Sequence, residues 1–159
     1  MVDFVLPEIL HLAFKPYYDA PKEAWESFAS NCEIIVVPKN TVLKERNKAE
    51  EYFYFIMHGS MGLFLHNETQ LVCLDFAFQH VFFGDYMSIL TQQATPLELL
   101  TLEKCQLARI KADTFVSLGQ SPIGNLIMRA CAEACFLEKQ AQQMRYQAKL
   151  LPNRVKFLQ

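Results

Sequence analysis

Tyr52-Phe53-Tyr54-Phe55-Ile56-Met57-His58-Gly59-Ser60-Met61-Gly62-Leu63-Phe64-Leu65-His66 holds two apolar runs of strand length, parted by His-Gly-Ser. Runs this short, rich in aromatic side chains and bounded by turn residues, read as buried strands and not as helices. The Gly59 and Gly62 spacing belongs to the hairpin between them and not to a phosphate loop. Toward the C-terminus the punctuation continues. Asn67-Glu68 precedes a run from Gln70 to Phe78, and Gln79-His80 precedes Val81-Phe82-Phe83 and Gly84. Asp85 to Leu90 reads as one or two helical turns and Thr91 to Pro96 as a loop. Leu97 to Ile110 supplies two more strands split near Glu103-Lys104. Toward the N-terminus, Ile34-Ile35-Val36-Val37 is β-branched, Pro38-Lys39-Asn40 is a turn and Thr41-Val42-Leu43 is extended. Pro21 to Phe28 forms a short helix capped by Asp19 or Ala20. Six to eight short strands at such spacing specify a sandwich or roll and exclude an open parallel sheet.

Past Ile110 the period becomes helical. Ala112 to Leu118 makes a short helix, Gly119 to Pro122 breaks it, and a long helix starts near Ile123. Ile127, Ala130, Ala134, Leu137, Ala141, Met144, Ala148 and Leu151 recur at alternating steps of three and four, the seam of a coiled coil. A helix of about 28 residues rises roughly 42 Å, more than a small domain needs to cover one face. The pattern therefore predicts a parallel homodimer joined through this seam. The chain divides into a roll with N-terminal helices over residues 1–120, and the dimerisation helix with a basic tail over residues 121–159.

The 159 residues carry 15 Lys+Arg against 17 Asp+Glu, and 52% are hydrophobic, which suits one domain with a substantial core and excludes general disorder. A net charge of −2 gives no global pull on nucleic acid. The N-terminus lacks a basic leader and an apolar signal core, and no apolar run is long enough to span a bilayer. The five cysteines (Cys32, Cys73, Cys105, Cys131 and Cys135) are an odd, scattered set that fits reduced thiols and a cytoplasmic protein. Cys131 and Cys135 share a helical face but have no further ligands for zinc beside them.

The order of these parts, a roll, a small helix after a Phe-Gly-acid corner and a long helix, resembles the Crp/Fnr family of transcription regulators and its cyclic nucleotide-binding domain. Tyr54 to Phe64 resembles the family's strand–Lys-Gly-Ser–strand hairpin, with His58 in the lysine's place. Phe83-Gly84-Asp85-Tyr86-Met87-Ser88-Ile89-Leu90 resembles the start of the phosphate-binding cassette, and Leu102 to Ile110 the strand pair after it. The resemblance implies a double-stranded β-helix, a jelly-roll-like β-roll, and a non-catalytic effector domain. It also implies a ligand site, in degenerate form, at Gly84, Asp85, Tyr86, Ser88, Thr95 and Pro96. In the family, backbone amides at the cassette helix hold the cyclic phosphate, a glutamate contacts the ribose and an arginine pairs with the phosphate. Here Asp85 stands in for the glutamate, and the arginine's place falls near Thr95.

No Lys or Arg occurs from Ala49 to Glu103, while Glu50, Glu51, Glu68, Asp75, Asp85, Glu98 and Glu103 do. A buried phosphodiester without a cation forgoes a contact of about 1.5–3 kcal/mol besides its desolvation. The sequence thus disfavours cyclic AMP or cyclic GMP in the usual mode and implies no cofactor. It leaves two alternatives. One is a stand-alone dimeric interaction module; the other is cyclic nucleotide binding with a phosphate partner from outside the cassette, such as Arg46 or Arg129. DNA is a partner only if a helix-turn-helix follows Gln159, since these residues contain no recognition helix. Lys139, Arg145, Lys149, Arg154 and Lys156 make the tail basic, as a solvated helix face is. His58, His66 and His80 lie too far apart for a metal-binding cupin, and no catalytic triad or carboxylate pair stands out.

Overall fold

A computed structural model describes residues 6–150. Two helices, α1 (Leu6–Phe14) and α2 (Lys22–Ala29), precede the strands β1 (Glu33–Val37), β2 (Val42–Lys44), β3 (Tyr52–His58), β4 (Met61–His66), β5 (Leu71–Ala77) and β6 (Phe82–Phe83). Helix α3 (Tyr86–Thr91) leads to β7 (Leu97–Thr101), β8 (Cys105–Lys111), α4 (Ala112–Leu118) and α5 (Pro122–Leu150). The strands form two antiparallel four-stranded sheets, ordered β1-β8-β3-β6 and β2-β7-β4-β5, which is the expected mainly β roll.

β3 shows why its sequence does not alternate. Phe53, Phe55 and Met57 face the helices, whereas Tyr54 and Ile56 face the opposite sheet, and all five are buried. A strand covered on both faces has no polar side to present. The helix-side core is a chain of rings: Phe14 stacks on Trp25 at 5.6 Å, Phe53 on Phe82 at 5.0 Å, and Phe115 meets Phe53 edge-on at 4.9 Å. Gly59 closes the β3–β4 hairpin at a φ of +102°, where a Cβ would lie 2.8 Å from the Lys104 carbonyl. That position requires glycine.

α1 is an element that the sequence reading did not place. Leu6, Leu10 and Phe14 lie one above the other on its inner face and are fully buried. Each such burial is worth about 1.5–3 kcal/mol. The step-of-four spacing was readable, but the helix is short, with Pro7 in its first turn and Pro16 just beyond its end.

α5 begins at Pro122, one residue before the expected Ile123. Its first seam residues belong to this chain's own core: Ile127, Ala130 and Ala134 are buried, with Ile127 and Ala134 packed beside Phe28 and Phe115 in the helix-side cluster. They are not available to a second copy, because the roll already covers that stretch of helix. Beyond them Leu137 and Met144 are exposed, Ala141 and Ala148 are half-buried, and Leu151 lies outside the described residues. Among the described residues no helix is long and apolar enough to cross a membrane.

Candidate functional site

The cassette begins where β6 ends. Asp85 caps α3: its Oδ1 accepts from the Ser88 amide at 3.3 Å, and its own amide donates to Glu50 Oε2 at 3.2 Å. Ser88 is held on two sides, accepting from the Glu50 amide at 2.8 Å and donating its hydroxyl to the Gln93 carbonyl at 2.6 Å. Thr95 donates its hydroxyl to Asp85 Oδ2. Burial pushes the Glu50 carboxyl up to about 7, against the lowering pull of the backbone amides of Asp85 and Tyr52 and of the Lys44 charge.

A cation does enter this cluster. Lys44 is 4% exposed, and its Nζ lies 3.4 Å from Asp85 Oδ2. The ammonium donates to the Leu97 carbonyl at 2.7 Å and to Thr95 Oγ1 at 3.1 Å, with the Thr95 and Glu45 carbonyls each at 3.4 Å. The expectation that the cradle holds no positive side chain is therefore corrected. Ala49 to Glu103 does lack Lys and Arg, yet β2 delivers a lysine to the very place, beside Thr95, where the resemblance calls for an arginine. The alternative partners do not reach it: Arg46 is exposed, and Arg129 pairs with Glu133 at 3.0 Å on the outer face of α5.

Strand alternation concealed Lys44. Val42 and Lys44 should share a face, and Val42 is exposed. The β2–β7 register shifts between them, pairing Val42 with Leu100 but Lys44 with Leu99. The irregularity turns the lysine inward, as bulges do.

Of the expected ligand residues, Gly84, Asp85 and Tyr86 line a cavity of about 660 Å³ between β5, β6, α3 and α5. Ser88 and Thr95 stand behind Asp85 in the hydrogen-bonded cluster, and Pro96 is exposed and outside it. The opposite wall is α5, through Cys131, Ala132, Cys135, Phe136, Lys139 and Gln142. Lys139 lies 3.8 Å from Asp75, and Gln142 donates to the Phe76 carbonyl at 3.2 Å, so the helix is tied to β5 across the cavity mouth. Burial pushes the Cys135 thiol up to about 11 and the Cys131 thiol well above its ordinary value, so both are neutral, apolar wall.

The histidines stand apart from this region. His58 ends β3 in solvent, His66 lies 3.3 Å from Glu98, and His80 occupies a turn at a φ of +72°. Among the described residues no group of three or more His, Cys, Asp or Glu is placed to hold a metal.

Comparison with solved structures places the fold. It is similar to a cyclic nucleotide-binding domain from Methylobacillus flagellatus KT, with a TM-score of 0.73 and 15% identity, covering 94% of this chain and 84% of that one. It is also similar to the catabolite activator protein of Thermus thermophilus (TM-score 0.63, 17% identity, 86% of this chain and 62% of that one). A third likeness is to the c-di-GMP responsive global regulator CLP of Xanthomonas campestris (TM-score 0.64, 19% identity, 84% and 65%). The chain thus spans less than two thirds of the length of the last two. A sequence search of curated proteins returns no significant match. The family model described as cyclic nucleotide-binding domain matches residues 34–121, more than half of the chain and the whole of the cassette. The chain belongs to the cyclic nucleotide-binding domain family.

Proposed function

We propose that this chain is the effector and dimerisation part of a cytoplasmic, non-catalytic Crp/Fnr-like transcription regulator whose cassette does not take cyclic AMP or cyclic GMP in the family's usual mode. The observation that carries the reading is the buried Lys44–Asp85 pair. The cation at the Thr95 position is already neutralised by Asp85 and bonded to the Leu97 carbonyl. The Ser88 amide is taken by the same carboxylate that would otherwise receive the sugar. A phosphodiester entering here has to displace an internal anion from a charge-assisted contact, and gains little net.

Coupling to the rest of a regulator runs along α5. The helix that walls the cavity at Cys135 and Lys139 also carries Leu137, Ala141, Met144 and Ala148, the part of the seam left for a second copy. A ligand that favours one helix placement over another biases the pairing geometry, which is the requirement for transmission to DNA readers.

A second reading is favoured by Lys44 itself. If Asp85 swings out to meet a ribose, the lysine beside Thr95 is free for the phosphate. Isothermal titration separates the two. The lead reading expects no binding of cyclic AMP or cyclic GMP below about 1 mM, a free energy no better than about −4 kcal/mol. Micromolar binding of either nucleotide establishes the second reading instead.

A further inference from the structure

The cavity beside the cassette has walls that the closed cassette does not explain. Five phenylalanines of the roll (Phe53, Phe76, Phe78, Phe82 and Phe83), Tyr86 from α3 and Phe136 from α5 put seven rings around it. Its volume of about 660 Å³ is of the size that takes a small organic molecule. The mouth is open, since Phe78 is 59% exposed and Met87 and Phe136 are each 69% exposed.

The charged groups on its lining are paired one by one. Asp75 lies 3.8 Å from Lys139, Glu138 lies 3.3 Å from Arg145, and Asp85 is met from behind by Lys44 at 3.4 Å. Among the described residues, no cation on this wall is left over for an anionic guest. An anion entering this space loses hydration and finds each nearby cation already held by a carboxylate, whereas apolar rings gain by leaving water. The thiols of Cys131 and Cys135 are protonated and add no anionic character of their own.

We propose that this cavity binds a neutral, ring-bearing apolar small molecule, seated between β5 and α5. The proposal rests on the reading of the chain as an effector domain with a closed cassette, and adds the chemical class of the effector. The occupant contacts Cys135 and Phe136 on the helix that carries Leu137 and Ala141, so it acts on that helix, and it borders Asp85 without requiring the Lys44–Asp85 pair to open.

A ring-matched dye pair tests it with the full chain. The neutral probe is N-phenyl-naphthylamine and the anionic one is anilinonaphthalene sulfonate. The expected result is saturable binding of the neutral dye, one per protomer, with the sulfonate at least about tenfold weaker. Ala132→Trp, at an exposed position on the cavity wall, should weaken the neutral dye by at least about tenfold with the melting temperature unchanged. If that variant unfolds, Met87→Trp at the exposed mouth serves the same purpose. Equal or tighter binding of the sulfonate overturns the proposal. So does neutral-dye binding that ignores both substitutions, which places the dye on the open β5 face. Dye affinity that falls as protein concentration rises also overturns it, because a second copy then fills the cavity. Absence of saturable neutral-dye binding overturns the proposal and leaves the closed-cassette reading standing. A cyclic nucleotide that binds and displaces the dye refutes both.

Discussion

Lys44 and Asp85 are worth most to each other. Each is buried, and neither has water to turn to if the partner is lost. Lys44→Met leaves the Asp85 carboxylate with only Thr95 and the Ser88 amide, and should lower the stability by about 3–5 kcal/mol. Lys44→Met combined with Asp85→Asn removes the stranded charge and should recover part of that loss, read as urea midpoints of the two variants. A single-variant loss under about 1 kcal/mol would mean that the pair is solvated. Glu50 adds a pH dependence. Its folded carboxyl titrates near 7 against an ordinary value of 4.5, with Asp85, Lys44 and Tyr54 as its charged or titratable neighbours. The folded chain therefore holds a proton that the unfolded chain has released, so stability falls as pH rises from about 4.5 through about 7. The full effect is of order 3 kcal/mol. Glu50→Gln keeps an acceptor for the Asp85 amide without the charge, and should flatten this part of the profile and exceed the unsubstituted chain in stability at pH 8. A variant profile that still falls between pH 5 and pH 8 places the titration elsewhere.

Among the elements, β3 and β4 were legible because their apolar runs are bounded by His58-Gly59 and by Asn67, and a both-sides-buried strand has only one reading. β2 was legible as a strand but not as a donor of the key side chain. Its register slip is set by pairing with β7, more than 50 residues away, and leaves no mark in Thr41-Val42-Leu43-Lys44. α5 shows the reverse case. Its seam was visible from Ile127 to Leu151, yet periodicity cannot say whether a stripe meets its own roll or a second copy, and the stripe is buried in its own core only as far as Ala134. The proposed dimerisation then depends on the part beyond it. Ala141→Glu, on the half-buried part of the stripe and away from the core, should convert a dimer into a monomer in light scattering without changing the circular dichroism at low concentration. Ile127→Glu should instead unfold the chain, because that residue is 3% exposed in its own core. An unsubstituted chain that scatters as a monomer at all concentrations removes the seam from the account.

At the scale of the whole molecule, the roll, the small helix and the long helix follow from punctuation and period, and the family match agrees with them. The short helix after Phe83-Gly84-Asp85 was legible and is α3, but the electrostatics around it were not. A count of basic residues along a segment misses a cation that arrives through the fold. The account's central claim is that Lys44, Asp85, Ser88 and Thr95 satisfy one another and leave no vacancy for a cyclic phosphate. The direct measurement is a titration of the isotope-labelled chain with cyclic AMP, following the backbone amides of Gly84, Asp85 and Ser88 by nuclear magnetic resonance. The account expects these three signals to stay in place up to about 1 mM nucleotide. Saturating shifts of the Asp85 and Ser88 amides at micromolar nucleotide would contradict it.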